Sequence, residues 1–173
     1  IHTTADFDYA DNLAFSPDVI EQAKAALCNG ATIVTDTNMA LSGISKPSLT
    51  KLGAKALCLM ADPDIAREAK ERGVTRAVVS MEHAARLDGP LIFAVGNAPT
   101  ALIRLHELIG KGEVKPALVI GVPVGFVNVV EAKELFIGGK TPYIIARGRK
   151  GGSNVAAAIV NALLYQLIRR EGF

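Results

Sequence analysis

Two kinds of apolar run alternate along this chain. Short aliphatic and β-branched runs at 31–35, 56–60, 91–95, 117–120 and 143–146 have the length and composition of buried strands. Between them lie longer stretches in which polar residues recur at helical spacing. Ser16-Pro17-Asp18 predicts a helix start, with Ser as cap and Pro in the first turn, and Asn29-Gly30 ends that helix just after Cys28. Asp62-Pro63-Asp64 opens a charged amphipathic helix that runs to Arg72 and closes at Gly73. Residues 75–87 read as helix up to the turn Asp88-Gly89-Pro90. One helix follows Pro99-Thr100 to about Gly110, another follows the loop 121–127 to about Phe136, and the last spans 153–169. Ile1 and His2 read as the end of a further strand. Upstream residues are therefore expected in the native gene product, pairing beside 31–35 or a neighbouring strand.

Strands that alternate with helices imply parallel pairing, right-handed crossovers and helices on both faces. The expected fold is a three-layer α/β/α arrangement around a mostly parallel sheet. Neither an internal repeat nor a low-complexity linker interrupts residues 1–173, so a single domain is expected. In open parallel sheets ligands bind beyond the carboxyl ends of the strands. Four Gly- and Pro-bearing loops fall there, at 36–39, 96–100, 121–126 and 147–153.

Composition supports this picture and narrows the partners. Half the residues are hydrophobic and mean hydropathy is +0.29, which argues against disorder. A net charge of +2, with acids and bases interleaved as in Lys70-Glu71-Arg72, gives no footprint for nucleic acid. No apolar run reaches transmembrane length and no signal peptide is visible, so a cytoplasmic protein is expected. Cys28 and Cys58 lie in apolar surroundings without metal spacing and read as reduced core cysteines.

The chemistry concentrates in the last loop. Arg147, Arg149 and Lys150 crowd together with Gly148, Gly151 and Gly152, just before a helix that starts near Ser153. Glycines let backbone approach a ligand closely, and a helix N-terminus favours anions. Three adjacent cations repel one another unless something negative sits among them. The segment reads as an anion site for carboxylates or phosphates, with solvated surface charge as the alternative. The loop lacks both the Walker and the dinucleotide fingerprints. His83 and His106 read as ordinary helix residues. His2, followed by Asp6 and Asp8, reads as a strand-end histidine that can donate or accept a proton, with a purely structural role as the commoner reading of such a residue. That spacing lacks the second His or Cys expected of a metal site, so no metal is expected.

These loops together resemble those of the precorrin-8X methylmutase family. The matching segments are Ile1-His2, Thr35-Asp36-x-x-Met39, Gly43-Ile44, Gly96-Asn-Ala-Pro-Thr-Ala-Leu102, Pro116-Ala-Leu, Gly121-x-Pro-Val-Gly-Phe-Val127, Glu131-x-Lys133 and Arg147-Gly-Arg-Lys-Gly-Gly-Ser153. They span essentially the whole chain. The opening His-Thr-Thr-Ala-Asp-Phe-Asp8 is similar to the cobalt-precorrin-8 branch. The family has a further strand and helix at its N-terminus, which this sequence lacks.

The resemblance implies a flavodoxin-like fold and a homodimer with sites near the subunit interface. It implies an isomerase of cobalamin biosynthesis that moves a methyl group from carbon 11 to carbon 12 of a corrinoid, forming a cobyrinate. No cofactor is expected, and any cobalt belongs to the substrate. Neighbouring enzymes of the pathway are candidate partners. His2 aligns with the family's catalytic histidine. For the carboxylate-edged macrocycle, Met39, Val124 and Phe126 would supply an apolar floor. Asp36, Asn97, Thr100, Gly125, Arg147, Gly148, Arg149, Lys150, Gly151, Gly152 and Ser153 would supply polar contacts around it. Two other readings use the same loops: a non-catalytic tetrapyrrole carrier and a nucleotide-binding module.

Overall fold

The structure is a computed structural model that describes residues 1–168. The five apolar runs form five parallel strands: β2 (Thr32–Thr35), β3 (Lys55–Leu57), β4 (Leu91–Val95), β5 (Leu118–Gly121) and β6 (Tyr143–Ala146). A sixth strand, β1 (Leu13–Phe15), pairs antiparallel with β6, and the sheet order is β1-β6-β5-β4-β2-β3. The chain leaves β2 toward β3 on one side and places β4, β5 and β6 on the other. That reversal is the topological switch point at which doubly wound sheets open a crevice.

Every residue of β4, β5 and β6 is buried, because helices cover both faces. Alternate residues enter opposite cores. Ile33, Ile92, Ala94, Leu118, Ile120 and Ile144 pack toward α2 (Val19–Cys28), α3 (Asn38–Gly43), α4 (Lys46–Leu52) and α9 (Ser153–Leu167). Val34, Phe93, Val95, Val119, Tyr143 and Ile145 pack toward α6 (Arg76–Ala84), α7 (Pro99–Gly110) and α8 (Val129–Glu134), with α5 (Pro63–Arg72) lying on α6. The three-layer α/β/α architecture expected from the sequence is therefore present.

Several local expectations are corrected. Residues 1–5 form a turn, not a strand end: the N–H groups of Thr4 and Ala5 both donate to the Ile1 carbonyl, at 3.2 and 2.8 Å. A short helix α1 (Asp8–Asn12) then leads into β1. Because β1 runs antiparallel, Leu13 lies opposite Ala146, and everything before Leu13 sits at the carboxyl edge of the parallel strands. Ser16 is no helix cap. It is buried and its hydroxyl accepts the Tyr143 N–H at 2.9 Å, while α2 begins at Val19 after a left-handed Asp18. Cys28 is exposed on α2 instead of lying in the core, and Cys58 is half-buried. Asp62 and Thr75 do cap α5 and α6 as their side chains allow. The last helix extends to Leu167, and Arg169 lies outside the described residues.

Candidate functional site

The four loops expected to carry function do meet at the carboxyl edge, and backbone contacts fasten them together. Asp36, directly after β2, is 1% exposed. Its carboxylate accepts the N–H groups of Gly96, Asn97 and Ala98 at 2.9, 2.8 and 2.7 Å. Burial pushes its carboxyl up from the ordinary value, and the three N–H groups pull it back toward ionisation. Asp36 is therefore a brace across the switch point. Its expected role as a substrate contact is corrected, because the side chain is sealed beneath the loop and both oxygens are used.

Glycine is required where the loops touch. A Cβ on Gly96 would lie 2.7 Å from the Ser153 backbone, and one on Gly151 only 2.0 Å from the Val122 carbonyl oxygen. Gly152 donates to the Val122 carbonyl at 2.9 Å, and Gly125 donates to that of Arg149 at 3.2 Å. The Ser153 hydroxyl lies 2.7 Å from that of Thr37, whose oxygen also caps α3. Gly151, Gly152 and Ser153 thus join loops to one another, and Gly152 is buried.

The three cations have different fates. Lys150 makes ion pairs of 2.6 Å with both Asp6 and Asp8, which ties the N-terminal segment to the loop. Those hydrogen bonds raise the Lys150 pKa and, with the Asp8 N–H, hold the Asp6 carboxyl below its ordinary value. Of the three cations expected to seek an anion, Lys150 thus already has carboxylate partners within the chain. The Arg147 and Arg149 side chains are exposed and make no hydrogen bond or ion pair among the described residues. Beneath the loop lies Lys133 of α8, fully buried, donating to the carbonyls of Gly148 and Lys150 at 2.8 and 2.9 Å. Burial lowers its ammonium pKa to about 8.

Two clefts flank this assembly. One, of about 320 Å³, is lined by Asn12, Val130 and the loop residues Arg147, Gly148, Arg149 and Lys150, together with Asp8 and Tyr9. The other, of about 540 Å³, holds His2 with Thr3, Leu13, Ile159 and Tyr165. Tyr9 lines both. Burial, reinforced by the nearby charge of Asp6, pushes its phenol up from the ordinary value.

The remaining expected residues divide. Met39, Val124 and Phe126 are 72%, 47% and 87% exposed, so the carboxyl edge carries an apolar surface open to a ligand or a partner. Asn97 is exposed at the same edge. Thr100 is not part of the assembly. Its hydroxyl lies 3.3 Å from that of Thr75, and it lines a separate cleft with Arg72, Glu82 and Arg104. Lys133 and Tyr9 were missed as site residues. For Lys133 a signal existed: it shares a helix face with Val129 and Ala132, where a lone cation is out of place. Among the described residues no group of three or more His, Cys, Asp or Glu is arranged to hold a metal ion.

Fold and site together define a doubly wound α/β protein with a histidine-bearing cleft and a cationic cleft side by side at its switch edge. The sequence profile described as precorrin-8X methylmutase matches residues 1–166. The chain belongs to the precorrin-8X methylmutase family. It is 50% identical over 170 residues to the cobalt-precorrin-8 methylmutase of Salmonella typhimurium, covering 96% of this chain and 78% of that protein. It is 42% identical over 166 residues to the precorrin-8X methylmutase of Pseudomonas aeruginosa, covering 94% of this chain and 79% of that one. The crystal structure of precorrin-8X methylmutase from Thermus thermophilus superposes with a TM-score of 0.86 at 39% identity, over 95% of this chain and 80% of that one. The relatives are named as methylmutases, which are isomerases. No helix among the described residues is long and apolar enough to cross a membrane.

Proposed function

We propose that the chain isomerises precorrin-8 or cobalt-precorrin-8, moving the methyl group from carbon 11 to carbon 12 of the macrocycle to give the cobyrinate. The observation that carries this reading is the pair of clefts joined at Tyr9, one holding His2 and the other the unpaired Arg147 and Arg149. A corrinoid is a broad apolar ring edged with carboxylates. The cationic cleft suits its rim, and the exposed apolar residues Met39, Val124 and Phe126 suit its faces.

His2 donates a proton to the ring system, which makes the ring electron-poor at the migration terminus. The methyl group migrates within the same molecule, and the proton returns to His2. Atoms and electrons balance without a methyl donor or redox partner, and any cobalt stays within the substrate. Visible absorption tests the reading. Purified protein mixed with the precorrin is expected to convert it to the cobyrinate spectrum. Binding without conversion would favour the carrier reading.

A homodimer accompanies this function, as the family resemblance implies, and the exposed apolar residues Phe126 and Val127 are suited to such an interface. Sedimentation at micromolar concentration is expected to give a dimer. A monomer that retains full turnover would overturn an interface-built site.

A further inference from the structure

We propose that Lys133 is a positioning residue for the ligand's carboxylates: it draws two loop carbonyls inward and so turns the loop's N–H groups outward beside Arg147 and Arg149. The inference rests on the reading of that loop as the corrinoid carboxylate site. Lys133 lies on α8 with Val129 and Ala132, and Phe136 follows in the turn after the helix, all buried. No acidic side chain pairs with it among the described residues; its hydrogen bonds are the two to the Gly148 and Lys150 carbonyls. A buried charge without a counter-ion costs stability, and an apolar side chain would fill the same helix face more cheaply. Packing alone therefore does not account for a lysine there.

The peptide group is planar and trans, so its N–H points opposite to its C=O. The carbonyl of Gly148 shares a peptide with the N–H of Arg149. The carbonyl of Lys150 shares one with the N–H of Gly151. With both carbonyls held by Lys133, both N–H groups are aimed away from it. Neither N–H has an acceptor among the described residues. The bend this needs is available because Gly148 takes φ +74° and Gly152 φ +139°. Two unpaired N–H groups and two unpaired guanidiniums thus share one loop, and Arg147, Gly148, Arg149 and Lys150 of that loop line the 320 Å³ cleft. Such a convergence of donors accepts a carboxylate.

The test compares a corrinoid polycarboxylate with its fully esterified, neutral form, by visible titration of the dimer or monomer as it exists in solution. The parent is expected to prefer the acid. Lys133→Met should lose about ten- to hundred-fold in affinity for the acid, the equivalent of one charge-assisted hydrogen bond, with affinity for the ester unchanged. Lys133→Gln keeps an uncharged NH₂ donor group and should fall between; it carries the test where the Met variant leaves two carbonyls unpaired and does not fold. In the parent itself, the amide resonances of Arg149 and Gly151 should shift on adding the acid and not the ester. Discrimination between acid and ester that survives in the variants, or amides that do not respond, would reduce Lys133 to a structural prop and overturn the inference. A parent that binds neither form would instead remove the corrinoid reading on which the inference stands.

Discussion

His2 stands on an exposed turn, and its side chain makes no hydrogen bond among the described residues, whereas Asp36 is sealed beneath three loop N–H groups. The contrast assigns them different work. A free imidazole is available to a ligand, and a positioned acid or base supplies about two to four orders of magnitude in rate. His2→Ala is expected to lower turnover by that amount with the melting temperature unchanged, and equal turnover in parent and variant would remove His2 from the reaction. Asp36→Asn should do the reverse. The amide keeps one acceptor oxygen but turns an NH₂ toward a backbone N–H. The variant should lose about 1–3 kcal/mol in denaturant unfolding, with ligand affinity following only as the loop loosens. Asp36 was legible in the sequence as a residue at the carboxyl end of a strand, and His2 as a candidate proton donor or acceptor. Their difference was not, because burial and partners depend on which loops fold over Asp36.

At the scale of elements, the cationic loop joins β6 to α9 and is held from two sides. Lys133 grips its carbonyls from below, and Asp6 and Asp8 grip Lys150 from the N-terminal segment. Arg147 and Arg149 are left without a partner among the described residues. Replacing either with Ala should weaken corrinoid binding by roughly 1.5–3 kcal/mol per lost charge-assisted hydrogen bond. The melting temperature should barely move. Equal affinities at low salt would show these to be solvated charges. The parallel strands were readable because continuous aliphatic runs mark strands buried on both faces. The loops at their ends were readable from glycines and charge. The short elements were not. β1 has three residues, Leu13–Phe15, and exists because β6 offers it a partner, which no local pattern announces. Likewise α3 and α4 owe their placement to Asn161 of α9, which donates to the Gly43 carbonyl and accepts the Ser45 N–H, each at 2.8 Å. The pairing of Lys150 with Asp6 spans 144 residues, beyond any sequence spacing rule.

For the molecule as a whole, the buried ammonium of Lys133 ties the site to the pH dependence of folding. Burial lowers its pKa from 10.5 to about 8. Below the folded value both folded and unfolded chains hold the proton, and the cost of burying the charge is complete. Between about 8 and 10.5 the unfolded chain binds more protons than the folded one, so this group's contribution to stability rises with pH. The slope is at most about 1.4 kcal/mol per pH unit. Lys150 behaves oppositely: its pKa is raised from 10.5, so its ion pairs contribute in full below that value and fade only above it. It is flat across the window. Tyr9, raised from 10.0, lowers stability only as pH climbs past that value. Lys133→Met leaves Lys150 and Tyr9 in place, so subtracting its stability from that of the parent isolates Lys133. We expect the difference, measured by denaturant unfolding, to be constant up to about pH 8 and then to grow in the parent's favour toward pH 10. A difference that stays flat to pH 10 would mean that Lys133 keeps an ordinary ammonium, reached by water, and that the loop is not held over a dry charge.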